Sequence, residues 1–478
     1  MRASDTVTAL PAIVQRLDHS TEPGQAFDTF CRLPHAFFLD SGLPGPRLGR
    51  FSFLGAEPLV VVSAKGRSIR LTQEGVERHL CDSPFQVLRS LLRRYRTPPS
   101  AAPVPFVSGF VGYLSYDLCH FVERLPRTAQ DDIGLPDLHF ALYDHVAAYD
   151  HLEGCWYAAS TGGEERIARL DSLLAVPRPD ERFAGLPASC GPIGANFSHD
   201  GYLGAVRRAK DYIAAGDIFQ VNLSQRFETT VAVPPAELYR RLRRANPAPF
   251  AAYLALDADD AAVLSSSPER FLRVAGRRVE TRPIKGTRRR GAAPEEDARL
   301  AAELLASAKD AAELTMIVDL ERNDLGRVCD YGSVAVTEHK ALEAYASVFH
   351  LVSTVQGTLH ERQDLVDLLK ASFPGGSITG APKIRAMEII DELEPTQRSA
   401  YTGSIGYIGL DGAADLNIAI RTILVRGNRA FFQVGGGIVA DSDPAAEYQE
   451  TLDKGQRLFE ALGHRHGPIN PAGFPCTA

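Results

Sequence analysis

Apolar positions in the N-terminal part of the chain come mostly in short runs broken by glycine and proline. Leu59 to Val62 follows Pro58 as one such run. Phe106 to Asp117 mixes Phe110, Val111, Tyr113, Leu114 and Tyr116 with Gly109 and Gly112. Both predict strands. Farther along, strands alternate with helices. Ala261 to Ser265 and Phe271 to Val274 read as a strand pair, and Arg421 to Val425 and Arg429 to Val434 as strands around the turn Gly427-Asn428. Ser198 is placed to cap a helix running toward Ala215, with Tyr202, Val206 and Ile213 on its apolar side. Pro294 with Glu295, Glu296 and Asp297 opens a helix, because proline suits the first turn and acids suit the positive dipole end. Ser307-Ala308-Lys309-Asp310, a capping-box variant, opens the next, from about Ala308 to Leu325, and Ala445 to Leu462 forms a strong final helix. Mixed strands and helices with long strand runs predict an α+β fold.

Proline-rich stretches at Arg96 to Pro105 and Pro177 to Asn196 are candidate connectors. The second divides the chain into an N-terminal region 1–190 and a C-terminal region 191–465 with a tail 466–478, or is a surface loop of one continuous fold. Composition changes the picture mainly by exclusion. The 478 residues are 45% hydrophobic and 23% charged with a net charge of -7, and no basic block argues for nucleic acid. No run of eighteen apolar residues predicts a membrane span, and the first residues lack the apolar core of a signal peptide. Seven scattered cysteines without a C-x-x-C pair suggest neither a disulfide framework nor a zinc site, so a cytosolic protein is expected.

Several groups are candidates for chemistry. On the final helix Glu447, Glu450 and Lys454 share a face, while Tyr448, Leu452 and Phe459 are predicted to pack on the core. Two carboxylates one turn apart suit a hard cation such as Mg2+, or form a solvated face with an ordinary Glu–Lys pair. Glu313 lies one turn before Ile317 on an apolar stripe, where it needs a cation or an arginine, Arg322 and Arg327 being available. In Arg282-Pro283-Ile284-Lys285-Gly286-Thr287 a bend fixes one lysine, a nucleophile if burial or the cations Arg282 and Arg288 lower its pKa, and otherwise a surface lysine. Glu269 stands at the edge of a strand, where acids and bases often sit. Pro374 to Lys383 looks like a phosphate loop but lacks the Lys-Ser/Thr after its glycine. Gly435-Gly436-Gly437 follows a strand and either turns tightly or lets backbone N–H groups approach an anion.

Taken in order, these segments resemble the chorismate-utilising enzymes, which include anthranilate, aminodeoxychorismate, isochorismate and salicylate synthases. The resemblance is carried by Ser267 to Phe271, Thr281 to Thr287, Met316 to Arg327, His350 to Ser353, Pro374 to Lys383, Tyr401 to Tyr407, Arg421-Thr422 and Gly435 to Lys454. It implies antiparallel sheets that enclose the active site, with helices packed outside. It further implies Glu313 and Glu450 as Mg2+ ligands with Glu447 close by. Arg421, Tyr401, Lys454 and the backbone at Gly435, Gly436 and Gly437 would be the carboxylate-binding set, and Thr379 and Gly380 would line the pocket with Thr287. Glu269 is implied as the general acid and His350 as a polar pocket residue. Within the family, Pro-Ile-Lys-Gly-Thr resembles the aminodeoxychorismate synthases, where anthranilate synthases usually carry alanine. The implied chemistry is attack by Lys285 on C2 of chorismate, followed by ammonia at C4. The chain has no Gly-x-Cys-x-Gly nucleophile, so the resemblance implies a separate glutamine amidotransferase subunit that supplies ammonia. Phe38-Leu39-Asp40-Ser41 only loosely resembles the Leu-Leu-Glu-Ser of tryptophan-regulated anthranilate synthases.

Overall fold

The computed structural model describes residues 11–43, 48–99, 101–175, 190–256, 261–345 and 348–464. The proposed tail 466–478 and most of the stretch from Pro177 to Asn196 lie outside them. Among the described residues the strands form two large, almost wholly antiparallel sheets, each with twelve strands, and helices pack against them. This agrees with the α+β expectation.

Both sheets cross the division near residue 190. In the first, Phe37–Asp40 pairs with Phe250–Leu256, so Ala252 faces Leu39 and Tyr253 faces Phe38. In the second, Gly109–Leu114 pairs with Ser404–Gly409 through all six residues. Each region therefore supplies strands to a sheet that the other completes, and the two make one continuous fold. The core follows the same logic. Phe53, Phe106, Val111 and Tyr113 pack in one cluster with Ile405, Tyr407, Leu424 and Phe431.

The predicted elements appear with small shifts. Ser198 accepts a hydrogen bond from Gly201 N and caps His199–Ala214. Ser307 accepts from Asp310 N to open Ala308–Gly326, but the Asp310 carboxylate faces Arg288, so only half of the box forms. Phe106 to Asp117 divides into the strand Gly109–Leu114 and a 3-10 turn Tyr116–Phe121, because Ser115 caps the turn through Asp117 N. The glycines 435 to 437 are not a turn. They lie inside the strand Arg429–Ile438, opposite Ser224, Leu223 and Asn222 of Gln220–Thr230. Their lack of side chains is used for close approach: a Cβ on Gly437 would meet Gln220 Nε2 at 2.2 Å, and one on Gly435 would meet Leu223 O at 2.5 Å.

On the final helix, Pro444–Ala461, Phe459 is fully buried as predicted and Leu452 packs beside it. Tyr448 faces a different cluster, so the helix wedges between two parts of the core. No described helix is long and apolar enough to cross a membrane.

Candidate active site

A cavity of about 490 Å³ opens between the two sheets. Asn222, Gln433 and Gly435 form one wall from the first sheet, and Lys285, Thr287 and His350 form the facing wall from the second. Helices Ala308–Gly326 and Pro444–Ala461 add Glu313, Glu450 and Lys454. Residues from distant parts of the sequence thus meet at one place.

Lys285 sits on the edge strand Ile284–Arg289, where the pairing shifts register between Lys285 and Thr287. Gly286 makes the shift possible with φ +78°, and a Cβ there would lie 2.8 Å from Leu304 Cδ1. Lys285 Nζ donates to Ser377 O at 3.2 Å. Burial pulls the Lys285 amine below the ordinary lysine range. Glu313 opposes that pull and Lys454 reinforces it. The cationic neighbour is therefore Lys454, not the arginines beside Lys285 in sequence. Arg282 turns away to Thr354, Glu343 and Glu338, and Arg288 pairs with Asp310. Arg282 ends the preceding strand, Arg278–Arg282, with Pro283 between it and the strand of Lys285.

Glu269 occupies the tight connection between Ala261–Ser267 and Arg270–Ala275 and is 5% exposed. Ile284 N donates weakly to it at 3.5 Å. Burial raises its carboxyl above the usual range, against the pull of Ser377, Lys285 and Arg421. The Ser377 hydroxyl stands near without a well-formed hydrogen bond. A carboxyl held toward its acid form beside an amine held toward its base form suits proton donation paired with nucleophilic attack.

Charge on the opposite side is acidic. Glu313 has none of the predicted arginine partners, since Arg322 pairs with Asp319 and Arg327 reaches Ala371 O. Burial raises the Glu313 carboxyl, Lys285 and Lys309 lower it, and Glu450 raises it again. Glu450 is exposed at the rim and bonded to Lys454 at 2.7 Å. Despite partial desolvation its carboxyl lies below the usual range because of that lysine. Glu447 is buried behind the rim and accepts from Ser442 Oγ at 2.6 Å. A Cβ on Gly436 would meet Glu447 Oε2 at 3.2 Å, Glu450 Oε1 at 3.4 Å and Lys454 Nζ at 3.5 Å, so the strand's bare backbone makes room for this group. Lys454 also donates to Gly435 O at 2.9 Å. Among the described residues no three His, Cys, Asp or Glu side chains converge as a closed metal cluster. The all-oxygen set still fits a hard cation. Glu313 and Glu450 line one cavity, and Glu313, whose carboxyl burial raises, has no bonded cation among the described residues.

The remaining candidates divide into wall and support. Thr287 Oγ1 and His350 Nδ1 lie 2.9 Å apart, and burial drives the His350 pKa down to about 3, so the ring is a neutral polar group. Arg421 has a left-handed backbone, φ +52°, where the chain turns into Thr422–Arg426. Burial lowers its pKa and Glu269 alone opposes that shift, so among the described residues the guanidinium lacks a bonded carboxylate. That leaves it ready for an anionic ligand. Tyr401 lines the cavity. At the Pro374 to Lys383 turn the wall is made by Ser377 and Ile378. Thr379 lies behind them, its hydroxyl on Gly375 O at 3.0 Å, followed by Gly380.

Sequence reasoning passed over Asn222, Lys309, Ser377 and Gln433, all of which line the cavity. For Asn222 and Gln433 a signal existed: each is a carboxamide in a strand that is otherwise largely buried.

A second cavity, about 370 Å³, lies against Phe37–Asp40 and Gly406, Tyr407 and Asp415. Its buried charges are matched, and Arg273, also on the wall, is exposed with no bonded carboxylate among the described residues. Arg270 bonds Asp415 at 2.9 Å and Glu280 at 2.8 Å, Arg50 bonds Asp150 at 2.6 Å, and Arg243 bonds Asp40 at 2.5 Å.

Residues 50–460 match the family model of the chorismate binding enzymes. The chain is 42% identical over 429 residues to aminodeoxychorismate synthase component 1 of Bacillus subtilis, covering 88% of this chain and 91% of the relative. It is 44% identical over 437 residues to anthranilate synthase component 1 of Thermus thermophilus, covering 90% and 93%. Among solved structures, anthranilate synthase component I from Streptococcus pneumoniae superposes with a TM-score of 0.76 at 34% identity, over 86% of this chain and 92% of that one.

Proposed function

The chain belongs to the chorismate binding enzymes, and we propose that it is the chorismate-aminating component of an aminodeoxychorismate synthase. The relatives alone do not decide between 4- and 2-amination, because both kinds are about equally similar. The deciding observation is Lys285, an amine drawn toward its neutral form inside the cavity and close enough to Glu269 for their charges to interact.

Chorismate lies with a carboxylate toward Arg421, which lacks a bonded counter-charge, and toward Lys454 and the glycine backbone. Lys285 Nζ attacks C2 of the ring. Both ring double bonds move one position toward C4, the C4–oxygen bond breaks, Glu269 gives its proton to the departing hydroxyl, which leaves as water, and the attacking nitrogen loses a proton in exchange. Ammonia then bonds to C4, both double bonds return, and the C2–Nζ bond breaks to release Lys285 and 4-amino-4-deoxychorismate. The amine must start neutral and the carboxyl protonated, and the buried setting biases each in that direction. Glu313 and Glu450, with Glu447 supporting them, would hold Mg2+, which would supply positive charge for the ring carboxylate. A separate glutamine amidotransferase subunit supplies the ammonia, and the product leads toward 4-aminobenzoate and folate.

The test is product identification. Purified protein with chorismate, Mg2+ and ammonium is expected to give a non-fluorescent product that a lyase converts to 4-aminobenzoate. Direct formation of fluorescent anthranilate would contradict the reading.

A further inference from the structure

Beneath the cavity lies an ion pair that does not itself line it. Glu394 and Arg398 stand four residues apart just after the helix Lys383–Leu393, and their side chains are each 1% exposed. Arg398 donates Nε and Nη2 to the two oxygens of Glu394 at 2.9 and 2.7 Å. Its other bonds reach Asn222 O at 2.8 Å, Ile378 O at 3.0 Å and Thr402 Oγ1 at 3.3 Å. The guanidinium also stands 5.8 Å from the centre of the Tyr401 ring. Glu394 in turn accepts from Ser224 N at 2.9 Å and Ser224 Oγ at 2.7 Å, and Gln433 Nε2 faces it at 3.5 Å.

Asn222, Ile378, Tyr401 and Gln433 all line the cavity. They come from four separate segments, and one buried pair touches all of them. Stability alone is a poor reason for such a pair, because desolvation offsets much of its attraction. What an apolar filling would lack is direction: a planar guanidinium fork fixes several acceptors at once. We propose that Arg398 and Glu394 are positioning residues for the reaction, holding the four wall segments at the spacing that chorismate requires. The inference rests on the cavity being the chorismate site.

Arg398→Lys keeps a positive charge opposite Glu394 but removes the fork. It is expected to fold, with the emission of the single, fully buried Trp156 unchanged. Its kcat for chorismate should fall about 100-fold, as expected for a displaced wall. The Mg2+ dependence should stay as in wild type, since neither Glu313 nor Glu450 bonds the pair. The double variant Arg398→Met with Glu394→Gln removes both charges and is measured alongside. It too should lose kcat well beyond any loss of folded protein. Activity that merely tracks the folded fraction, or two variants that both fail to fold, would assign the pair to stability and overturn the proposal. A wild-type protein without chorismate turnover would instead overturn the functional reading, before any variant is compared.

Discussion

The two cavities between the same pair of sheets differ less in size than in how their charges are matched. In the smaller one Asp40, Asp415, Arg50 and Arg270 all stand in bonded pairs, Arg270 with two carboxylates, and the unpaired Arg273 is exposed. In the larger one Lys454 pairs with Glu450 and Arg288 with Asp310, but among the described residues Arg421 has no bonded carboxylate, Glu313 has no arginine, and Lys285 donates only to a carbonyl. Paired charges have already spent their attraction on each other. Mismatched ones keep it for a ligand or a moving proton, and holding them buried shifts their pKa values. Charge alone therefore does not mark a site; buried charge without a bonded partner does.

The largest effect that can sharpen this contrast is at Lys285. Lys285→Ala should lower 4-amino product formation on the order of 10³-fold or more, the scale seen when a nucleophile is removed. Unchanged rate and product would place Lys285 outside the chemistry. Glu269→Gln comes next, with a loss of about 10²–10⁴-fold. Its pH profile carries the sign. In wild type, activity falls at high pH because Glu269, though raised by burial, finally ionises, whereas Lys285 becomes neutral and favours the reaction. In Glu269→Gln the residual rate should rise with pH and level off; a preserved alkaline fall would assign that limb to another group. Glu450→Gln should raise the Mg2+ concentration for half-activity by about 10-fold or more, read by metal titration. Full activity at the wild-type requirement would remove Glu450 from the metal site.

The smaller cavity should answer in the opposite way. Asp415→Asn weakens a buried pair with Arg270, so it should cost about 3 kcal/mol of stability, read by denaturant unfolding. Its kcat per folded molecule should stay near wild type. A large drop in kcat with unchanged stability would break the contrast between the two cavities.

What could be read from sequence follows the range of each interaction. Helix faces and caps are local, so Glu447, Glu450 and Lys454 fell on one face and Ser198 and Ser307 on their helix starts. Sheet partners are not local. The glycines 435 to 437 read as a turn because nothing nearby in sequence reveals that they pair with Asn222 to Ser224. Arg282 and Arg288 looked like the cations beside Lys285, but Arg282 ends the preceding strand and bonds Glu338 and Glu343, Arg288 bonds Asp310, and Lys454 arrives from far along the chain. Glu394 and Arg398 were not singled out in the sequence; only the packing of four distant segments around them gives the pair a role.

The most direct test of the central claim is the mass of the peptide that carries Lys285, after the protein meets chorismate and Mg2+ with ammonium withheld. The expected result is an increase equal to chorismate minus water, located on Lys285 and lost when ammonium is added. An unmodified Lys285, in protein that turns chorismate over once ammonium is present, would contradict it.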